Sequence, residues 1–382
     1  MTERIARRAN IPPFIVMDVL RAANERAATG ADVLHLEVGQ PSTGAPGRVI
    51  EAAKAALGRD VLGYTDALGI PPLRDAIAAH YRDRYGIPVD PRRIVVTTGS
   101  SGAFILSFLA AFDAGARVAV TAPGYPAYRN ILSALGIEVV EVEVGPSTRF
   151  QPTPALLDTA GHLDGLIVAS PANPTGTMLS AADLRRLAEH CGRRDIRLVS
   201  DEIYHGITYA EPATTALALT DRAIIINSVS KYFSMTGWRL GWMVLPEELI
   251  RPVECLAQNL FISPPSISQV AAVEVFACKD ELEANVRRYA ANRAVLLDAL
   301  PKAGLDRFAP PDGAFYLYVD VGDVTNDSAD FCKRLLADTG VAVTPGIDFD
   351  PARGQRTMRI SFAGSTEAMA EAARRLGSWL KR

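Results

Sequence analysis

The middle of the chain alternates short apolar runs with amphipathic ones, and this order restricts the folds available to it. Six runs are rich in β-branched and apolar residues and are typical of strands: RIVVTTGS (93–100), ARVAVTAP (116–123), IEVVEVEV (137–144), DGLIVASPANPTG (164–176), IRLVSDEIY (196–204) and RAIIINSVSK (222–231). Helix-like segments separate several of them, and Ser180 is placed to cap the helix that follows it. Near-continuous apolar strands with intervening helices predict an α/β fold whose mostly parallel, seven-stranded-type sheet lies between helices.

Polar side chains follow these strands at the positions where each strand ends. In sheets of this kind the ligand site lies beyond the carboxyl ends of the strands. The residues found there include Ser100, Tyr125, Asn173, Asp201 and Lys231. We therefore expect Lys231 to share one cleft with Asp201, Asn173 and Tyr125.

The length of 382 residues suggests about two domains. We predict a large domain over residues 43–282 and a smaller α+β domain over 283–382, which the N-terminal segment 1–42 joins. Residues 268–300 are predicted to form mostly one long connecting helix, and the tail strands are GAFYLYVDV (313–321), VAVTPG (341–346) and TMRISFA (357–363). The apolar stretch IPPFIVMDVL (11–20) is either a flap over the substrate or a segment docked on the small domain.

Charge and composition exclude several functions. The chain has 40 Lys and Arg against 43 Asp and Glu, a net charge of −3, and no dense basic run, so nucleic-acid binding is not expected. Its four cysteines and five histidines show no metal-ligand spacing, which predicts reduced thiols and no metal site. An apolar run of membrane-spanning length and a leader pattern are both missing from the sequence, so we expect a cytoplasmic protein without a membrane partner.

The residue types at the strand ends favour one cofactor. Lysine forms Schiff bases as a free amine, and a carboxylate such as Asp201 can keep a pyridine nitrogen protonated. Pyridoxal phosphate is the cofactor that needs both partners. It also needs a phosphate site, and TTGSSGA (97–103) supplies a glycine turn that leads into a helix N-terminus. Arg239 and Ser228 can add charge-assisted hydrogen bonds to that phosphate.

With these residues in view, the chain resembles fold-type-I pyridoxal-phosphate enzymes of the class I/II aminotransferase family over essentially its whole length. Seven blocks match the family in the family's order: VGQP (38–41), YTDALGIPPLR (64–74), PGYPAY (123–128), NPTG (173–176), DEIY (201–204), SVSKYFSMTGWRLG (228–241) and MRISF (358–362). Each block alone is a weak signal, since NPTG can be a turn and DEIY a strand end. The resemblance rests on all seven blocks occurring in the same order as in the family.

The resemblance implies three catalytic residues, Lys231, Asp201 and Tyr204. Lys231 would hold the cofactor as a Schiff base and then move the proton, while Asp201 would pair with the pyridine nitrogen. Tyr204 and Asn173 would donate hydrogen bonds to the phenolic oxygen of the cofactor, and Tyr125 would stack on its ring. The residues that the resemblance assigns to the phosphate are Ser100, Ser101, Gly102, Ser228 and Arg239.

The resemblance also implies how substrate and partner subunit bind. Arg359 would bind the α-carboxylate of the substrate through a planar, bidentate ion pair, with Asn173 beside it. Gly39 would let the backbone approach the substrate closely. Tyr64 would reach the phosphate from a second subunit, so that a homodimer carries its active sites at the interface.

The expected function is a ping-pong aminotransferase, a transferase of nitrogenous groups in amino acid metabolism. The shared blocks leave open a lyase on the same fold that uses the same cofactor and eliminates a β-substituent from cysteine-type substrates. A non-catalytic, effector-binding protein is a third alternative, against which the retained Lys231 and Arg359 argue. No arginine is marked as a partner for a distal carboxylate of the substrate, which favours neutral or aromatic amino donors, with glutamate or 2-oxoglutarate as the other half of the reaction. A broad specificity is equally compatible with the sequence.

Overall fold

A seven-stranded sheet forms the centre of the computed structural model, which describes residues 5–381. Its strands and those of two smaller sheets are β1 Leu34–His35, β2 Ile94–Thr97, β3 Arg117–Ala122, β4 Glu138–Glu143, β5 Gly165–Ala169, β6 Arg197–Asp201, β7 Ile224–Ser228, β8 Gly241–Val244, β9 Tyr316–Asp320, β10 Val341–Ala342, β11 Thr344–Pro345 and β12 Thr357–Ser361. The α-helices are α1 Ile15–Ala28, α2 Gly47–Arg59, α3 Pro71–Tyr85, α4 Gly99–Ala111, α5 Pro126–Ala134, α6 Pro154–Thr159, α7 Ala181–Arg194, α8 Glu247–Leu260, α9 Ser266–Ala272, α10 Lys279–Lys302, α11 Ser328–Thr339 and α12 Thr366–Leu380.

The strand order in the large sheet is β2-β8-β7-β6-β5-β3-β4, and all its pairs are parallel except the two that β8 makes. The predicted mostly parallel sheet is therefore confirmed, and all six predicted strands are present. The seventh strand, β8, was not assigned from the pattern. It runs antiparallel to both β2 and β7.

Successive residues of one strand pack into different cores on the two faces of this sheet, as the two-residue period of a strand requires. In β2, Ile94 and Val96 belong to one core and Val95 to the other. Phe104 of α4 packs in the second core and Leu187 of α7 in the first. Helices thus cover both faces, which explains why every residue of β2, β5, β7 and β8 is apolar or nearly fully buried.

The C-terminal part of the chain contains a three-stranded antiparallel sheet in the order β11-β12-β9. Strand β1 pairs in parallel with β10, which brings the N-terminal segment against this part of the chain. These contacts agree with a smaller α+β unit next to the large sheet. The predicted domain limits at residues 42 and 282 stay a prediction, and residue 282 falls inside α10.

Residues 268–300 are mostly helical, as predicted, but they do not form a single helix. Helix α9 ends at Ala272, residues Val273–Ala277 form a 3-10 turn, and α10 starts at Lys279. The turn contains β-branched and aromatic residues, which are poorer helix formers. It also lets Phe276 pack edge-on against Phe233, with 5.3 Å between the ring centroids. Tertiary packing thus overrides the helical pattern.

Two further features of the helices bear on the sequence analysis. The hydroxyl of Ser180 accepts a hydrogen bond from the backbone N–H of Asp183 at 3.1 Å, so the predicted cap of α7 is confirmed. None of the helices between residues 5 and 381 combines the length and the apolarity that a membrane crossing requires.

Candidate active site

A cavity of about 150 Å³ lies at the carboxyl ends of the parallel strands. The predicted site residues that line it are Gly39, Ser100, Ser101, Tyr125, Asn173, Asp201, Tyr204, Lys231, Arg239 and Arg359. Three predicted residues do not line this cavity. Ser228 is buried at the end of β7 and Gly102 in the first turns of α4, whereas Tyr64 is 84% exposed at the surface.

Lys231 follows β7 and projects toward this cavity. Its Nζ donates a hydrogen bond to the carbonyl oxygen of Gly39 at 2.7 Å and lies 5.9 Å from the ring centroid of Tyr204. Burial lowers the pKa of Lys231 to about 8, and the positive charges of Arg359 and Arg239 act in the same direction. Near neutral pH this amine is therefore neutral far more often than that of an exposed lysine.

Asp201 is the last residue of β6 and only 4% exposed. Its Oδ1 accepts a hydrogen bond from the backbone N–H of Ile203 at 3.1 Å, and its Oδ2 accepts one from the hydroxyl of Tyr128. Burial raises the pKa of Asp201 to about 6, although both hydrogen bonds oppose that shift. The carboxylate is thus fixed in orientation, one donor holding each oxygen.

Tyr128 is a site residue that the sequence analysis missed. It lies in α5 three residues after Tyr125, and the two rings meet edge-on at 5.2 Å. Side chains three residues apart share one face of a helix, so the spacing within PGYPAY could have indicated it. Ser230, Thr236 and Tyr316 also line the cavity without having been predicted.

Arg359 in β12 is 2% exposed, and neutral oxygens accept its hydrogen bonds. Its Nη1 donates to Oδ1 of Asn173 at 2.9 Å, and its Nη2 donates to the hydroxyl of Thr344 at 3.3 Å and to the carbonyl oxygen of Glu37. Its buried Nε has no hydrogen-bond partner among residues 5–381. A buried cation with neutral partners and a spare N–H group suits a carboxylate ligand.

Two aromatic rings hold the guanidinium of Arg359 in place. Its central carbon lies 4.5 Å from the ring centroid of Tyr316 and 4.7 Å from that of Phe349. Cations are attracted to the faces of aromatic rings, and a planar guanidinium also stacks on them. The plane of the group is therefore fixed before any ligand binds.

Gly39 and Tyr316 approach each other so closely that only glycine fits. A Cβ atom at position 39 would lie 1.6 Å from the Tyr316 hydroxyl oxygen. That hydroxyl is 2.7 Å from the hydroxyl of Tyr204, so a larger residue at 39 would disturb both tyrosines. The need for glycine at position 39 thus comes from a contact within the chain itself, in addition to the expected approach of a substrate.

The N-terminus of α4 forms the opposite side of the cavity. Its N-cap residue Thr98 makes no side-chain capping bond, and Ser100 and Ser101 of its first turn line the cavity. The first N–H groups of a helix carry partial positive charge and lack partners within the helix. This end of α4 is therefore suited to an anion.

Arg239 lies against this helix end because Gly99 leaves room for its guanidinium, and Gly241 leaves room for the backbone of the helix end itself. A Cβ atom at Gly99 would lie 2.7 Å from Nη2 of Arg239, and one at Gly241 would lie 2.9 Å from the backbone N of Ser100. The Nη1 of Arg239 donates to the carbonyl oxygen of Thr236 at 3.0 Å, which orients the guanidinium. A fixed cation next to a helix N-terminus is the arrangement that binds phosphate groups.

The N-terminal segment contributes apolar side chains to the same cavity. Phe14, Val16 and Met17 line it, and the ring of Phe14 meets that of Tyr125 edge-on at 5.7 Å. Further along α1, Ala23 packs with Leu336 and Ala342 of the C-terminal part. Val19, within the segment 11–20, also packs against this cluster, which supports the docked alternative, whereas the flap over the substrate stays a prediction.

These features bring an amine, a carboxylate and a guanidinium together around one cavity, and comparisons with known proteins identify the family of the chain. Residues 31–376 match the family described as aminotransferase class I and II, so the chain belongs to that family. A valine–pyruvate aminotransferase of Mycobacterium tuberculosis is 57% identical over 100% of this chain and 99% of its own. An aspartate/prephenate aminotransferase of Thermus thermophilus is 34% identical over 97% of each chain.

Solved structures give the same result. An aminotransferase from Mycobacterium tuberculosis superimposes with a TM-score of 0.98 at 56% identity, covering 100% of both chains. A protein described as a putative aminotransferase from Silicibacter pomeroyi has a TM-score of 0.94 at 50% identity and 99% coverage of both chains. The predicted fold and the predicted aminotransferase activity are confirmed: the protein is an enzyme that moves amino groups between amino acids and oxo acids.

Proposed function

We propose that this aminotransferase binds pyridoxal phosphate in the described cavity and transfers the amino group of an apolar amino acid such as valine to pyruvate by a ping-pong mechanism. The observation that carries the proposal is the meeting, in one cavity, of the Lys231 amine, the buried Asp201 carboxylate and the uncapped N-terminus of α4. A lysine, an acidic pyridine partner and an anion site are the three groups that this cofactor requires.

The residues around the cavity fit this cofactor. Ser100, Ser101 and Arg239 would hold the phosphate, and Asp201 would pair with the pyridine nitrogen. Ser228 would act indirectly, since its hydroxyl accepts the backbone N–H of Ser230 at 3.0 Å and so shapes the loop that carries Lys231. Gly102 would allow the first turn of α4 to close on Thr98, where a Cβ atom would meet Oγ1 at 2.5 Å.

When bound, pyridoxal phosphate supplies an electron sink that weakens the bond between Cα and its hydrogen in the substrate. The protein would supply the base for that hydrogen, because the lowered pKa of Lys231 leaves its amine free to accept a proton. Arg359 would hold the α-carboxylate. Asn173, whose Oδ1 already accepts from Arg359, would turn its NH₂ group to the cofactor, and Tyr204 would donate beside it.

The lining of the cavity supports a neutral, apolar substrate side chain. Among the described lining residues the arginines are Arg239 and Arg359, and both already have assigned partners in this proposal. Phe14, Val16 and Met17 add an apolar wall. The relative at 57% identity is named a valine–pyruvate aminotransferase, which favours the same donor and acceptor here.

A half-reaction screen tests the proposal. Each amino acid is added alone to the cofactor-loaded enzyme, and we expect valine and similar donors to shift the absorbance from the pyridoxal to the pyridoxamine spectrum with release of a 2-oxo acid. Aspartate and glutamate should react at least about tenfold more slowly, since the two arginines among the described lining residues, Arg239 and Arg359, are both assigned to other groups. Pyruvate and ammonia formed from a cysteine-type substrate without an acceptor would favour the lyase instead.

The uptake of pyridoxal phosphate by the cofactor-free enzyme should depend on pH through Lys231. Only the neutral amine reacts, and burial and the neighbouring arginines lower the pKa of Lys231 to about 8 from 10.5. We expect the uptake rate to rise about tenfold per pH unit below 8 and to level off above it. Stopped-flow absorbance measures the rate. A rise that continues toward 10.5 would show that the amine is not perturbed.

We also infer that two copies of the chain pair through the surface around Tyr64. Val61 and Tyr64 are 98% and 84% exposed, and Leu260 and Ile262 are 51% and 49% exposed. The two segments are neighbours, because the backbone N–H of Thr65 donates to the Ser263 hydroxyl at 3.3 Å. An exposed apolar patch of this kind favours an interface. A monomer in sedimentation equilibrium would contradict this pairing.

The cytoplasmic location of the protein stays a prediction.

A further inference from the structure

Asp348 makes a contact that the chemistry described so far does not use. It is 1% exposed, and its Oδ1 and Oδ2 accept hydrogen bonds from the backbone N–H groups of Ile15 and Val16, each at 3.1 Å. These are the first residues of α1, whose own N-cap residue, Phe14, makes no side-chain capping bond. A carboxylate from the C-terminal part of the chain therefore caps the N-terminal helix.

The position of Asp348 is itself fixed. Its backbone carbonyl oxygen accepts a hydrogen bond from Nη2 of Arg129 at 2.5 Å, and the next residue, Phe349, covers one face of Arg359. The negative charge of Asp348 lies at the positive end of the α1 helix dipole, which strengthens the cap. The capping carboxylate is thus anchored to the same framework that holds the substrate-carboxylate arginine.

The capped turn is the part of α1 that borders the cavity. Phe14, Val16 and Met17 form its apolar wall, and the hydrogen bond to Asp348 is made by the backbone of Val16 itself. Without the cap, the part-buried N–H of Ile15 and the buried N–H of Val16 would lose their acceptor, and the turn would separate from the cavity or change its conformation. The wall's position therefore depends on Asp348.

We propose that Asp348 is a positioning residue for substrate specificity: it holds the first turn of α1 so that Phe14, Val16 and Met17 contact a branched apolar side chain of the substrate. This inference rests on the proposed function, because it concerns amino acids bound in the same cavity. Asp348 does not itself line the described cavity and has no part in the proton transfer. Its effect should therefore depend on the size of the substrate side chain.

The test compares valine with alanine in the Asp348→Ala enzyme. Alanine has too short a side chain to depend on the wall, whereas valine can contact it. We expect the kcat/KM ratio of valine to alanine to fall about tenfold, mainly through KM, which corresponds to the loss of a helix cap. Asp348→Asn retains one carboxamide oxygen as an acceptor and should show a smaller decrease.

A second measurement tests the contact between Asp348 and the first turn of α1 in the absence of substrate. Hydrogen–deuterium exchange of the amides of residues 15–20 in the cofactor-loaded enzyme should become about tenfold faster in Asp348→Ala, since the first turn loses its acceptor. The matched control is Asp350→Ala. Asp350 is also buried, at 3%, but its Oδ1 accepts the backbone N–H of Arg353 at 3.0 Å and it makes no contact with α1. This variant should leave both the exchange and the substrate ratio unchanged.

Both changes together support the inference, and either one missing overturns it. If exchange increases while the valine-to-alanine ratio stays constant, Asp348 stabilises α1 without affecting specificity. Failure of the proposed function is a different result, since the unmodified enzyme would then not convert valine at all. The exchange experiment would still decide whether Asp348 holds the first turn of α1.

Discussion

Replacing Lys231 by alanine is expected to lower kcat/KM for amino transfer by about 10⁴-fold or more. The Nζ atom lies in the cavity 2.7 Å from the carbonyl oxygen of Gly39, and its pKa is lowered to about 8. In the proposed mechanism this amine both bonds the cofactor and carries the proton, so its loss removes two functions at once. The measurement is 2-oxo acid formation from valine and pyruvate, together with the visible absorbance of the bound cofactor.

The control for this variant is Lys54→Ala. Lys54 lies on α2 with its side chain 65% exposed and pairs with Glu51 at 2.7 Å, so its removal should leave turnover and absorbance unchanged. Arg239 and the N-terminus of α4 remain in Lys231→Ala, and we therefore expect the variant still to bind the cofactor phosphate. Turnover that persists at more than about 1% would mean that another group acts as the base.

The location of Lys231 was predictable because it follows an apolar strand, and ligand sites of mostly parallel sheets lie beyond the carboxyl ends of the strands. β6 and β7 are apolar runs that end at Asp201 and Ser228, and neighbouring parallel strands bring their carboxyl ends to one edge. The meeting of Lys231 and Asp201 follows from that geometry. Arg359 and Gly39 were assigned through the family resemblance alone, since nothing in their local sequence indicates a site.

The features that the sequence did not predict depend on contacts between distant segments. The hydrogen bond from Ile15 to Asp348 joins residues 333 positions apart, and no local periodicity encodes such a pair. Tyr316 is the first residue of β9, YLYVD, whose first four residues are all buried, so alternation cannot show which tyrosine faces the cavity. The break before α10 has the same origin, because packing of Phe276 decides it.

Exchanging Arg359 for lysine should lower kcat/KM by about 10²-fold for the amino acid and for the 2-oxo acid alike, mostly through KM. Hydrogen bonds to charged groups contribute about 1.5–3 kcal/mol each, which corresponds to about 10- to 150-fold. Lysine keeps the charge, but it cannot keep the planar fork that Tyr316 and Phe349 hold at 4.5 and 4.7 Å. The α-carboxylate is common to all substrates, so the loss should be similar for valine and alanine.

This uniform loss separates a substrate-binding role of Arg359 from a purely structural one. Were the arginine only a structural support, Arg359→Lys would lower the melting temperature while leaving KM near its original value. Arg356→Lys is the matched control, since Arg356 precedes β12, is exposed, and its side chain donates to the carbonyl oxygen of Gly322 at 3.3 Å. The cofactor absorbance should stay unchanged in Arg356→Lys, because the guanidinium of Arg356 donates to Gly322, which is not among the residues assigned to the cofactor. The hydrogen-bond acceptors of this buried guanidinium within the protein are neutral oxygens, and the carboxylate shared by every substrate would add a charged one.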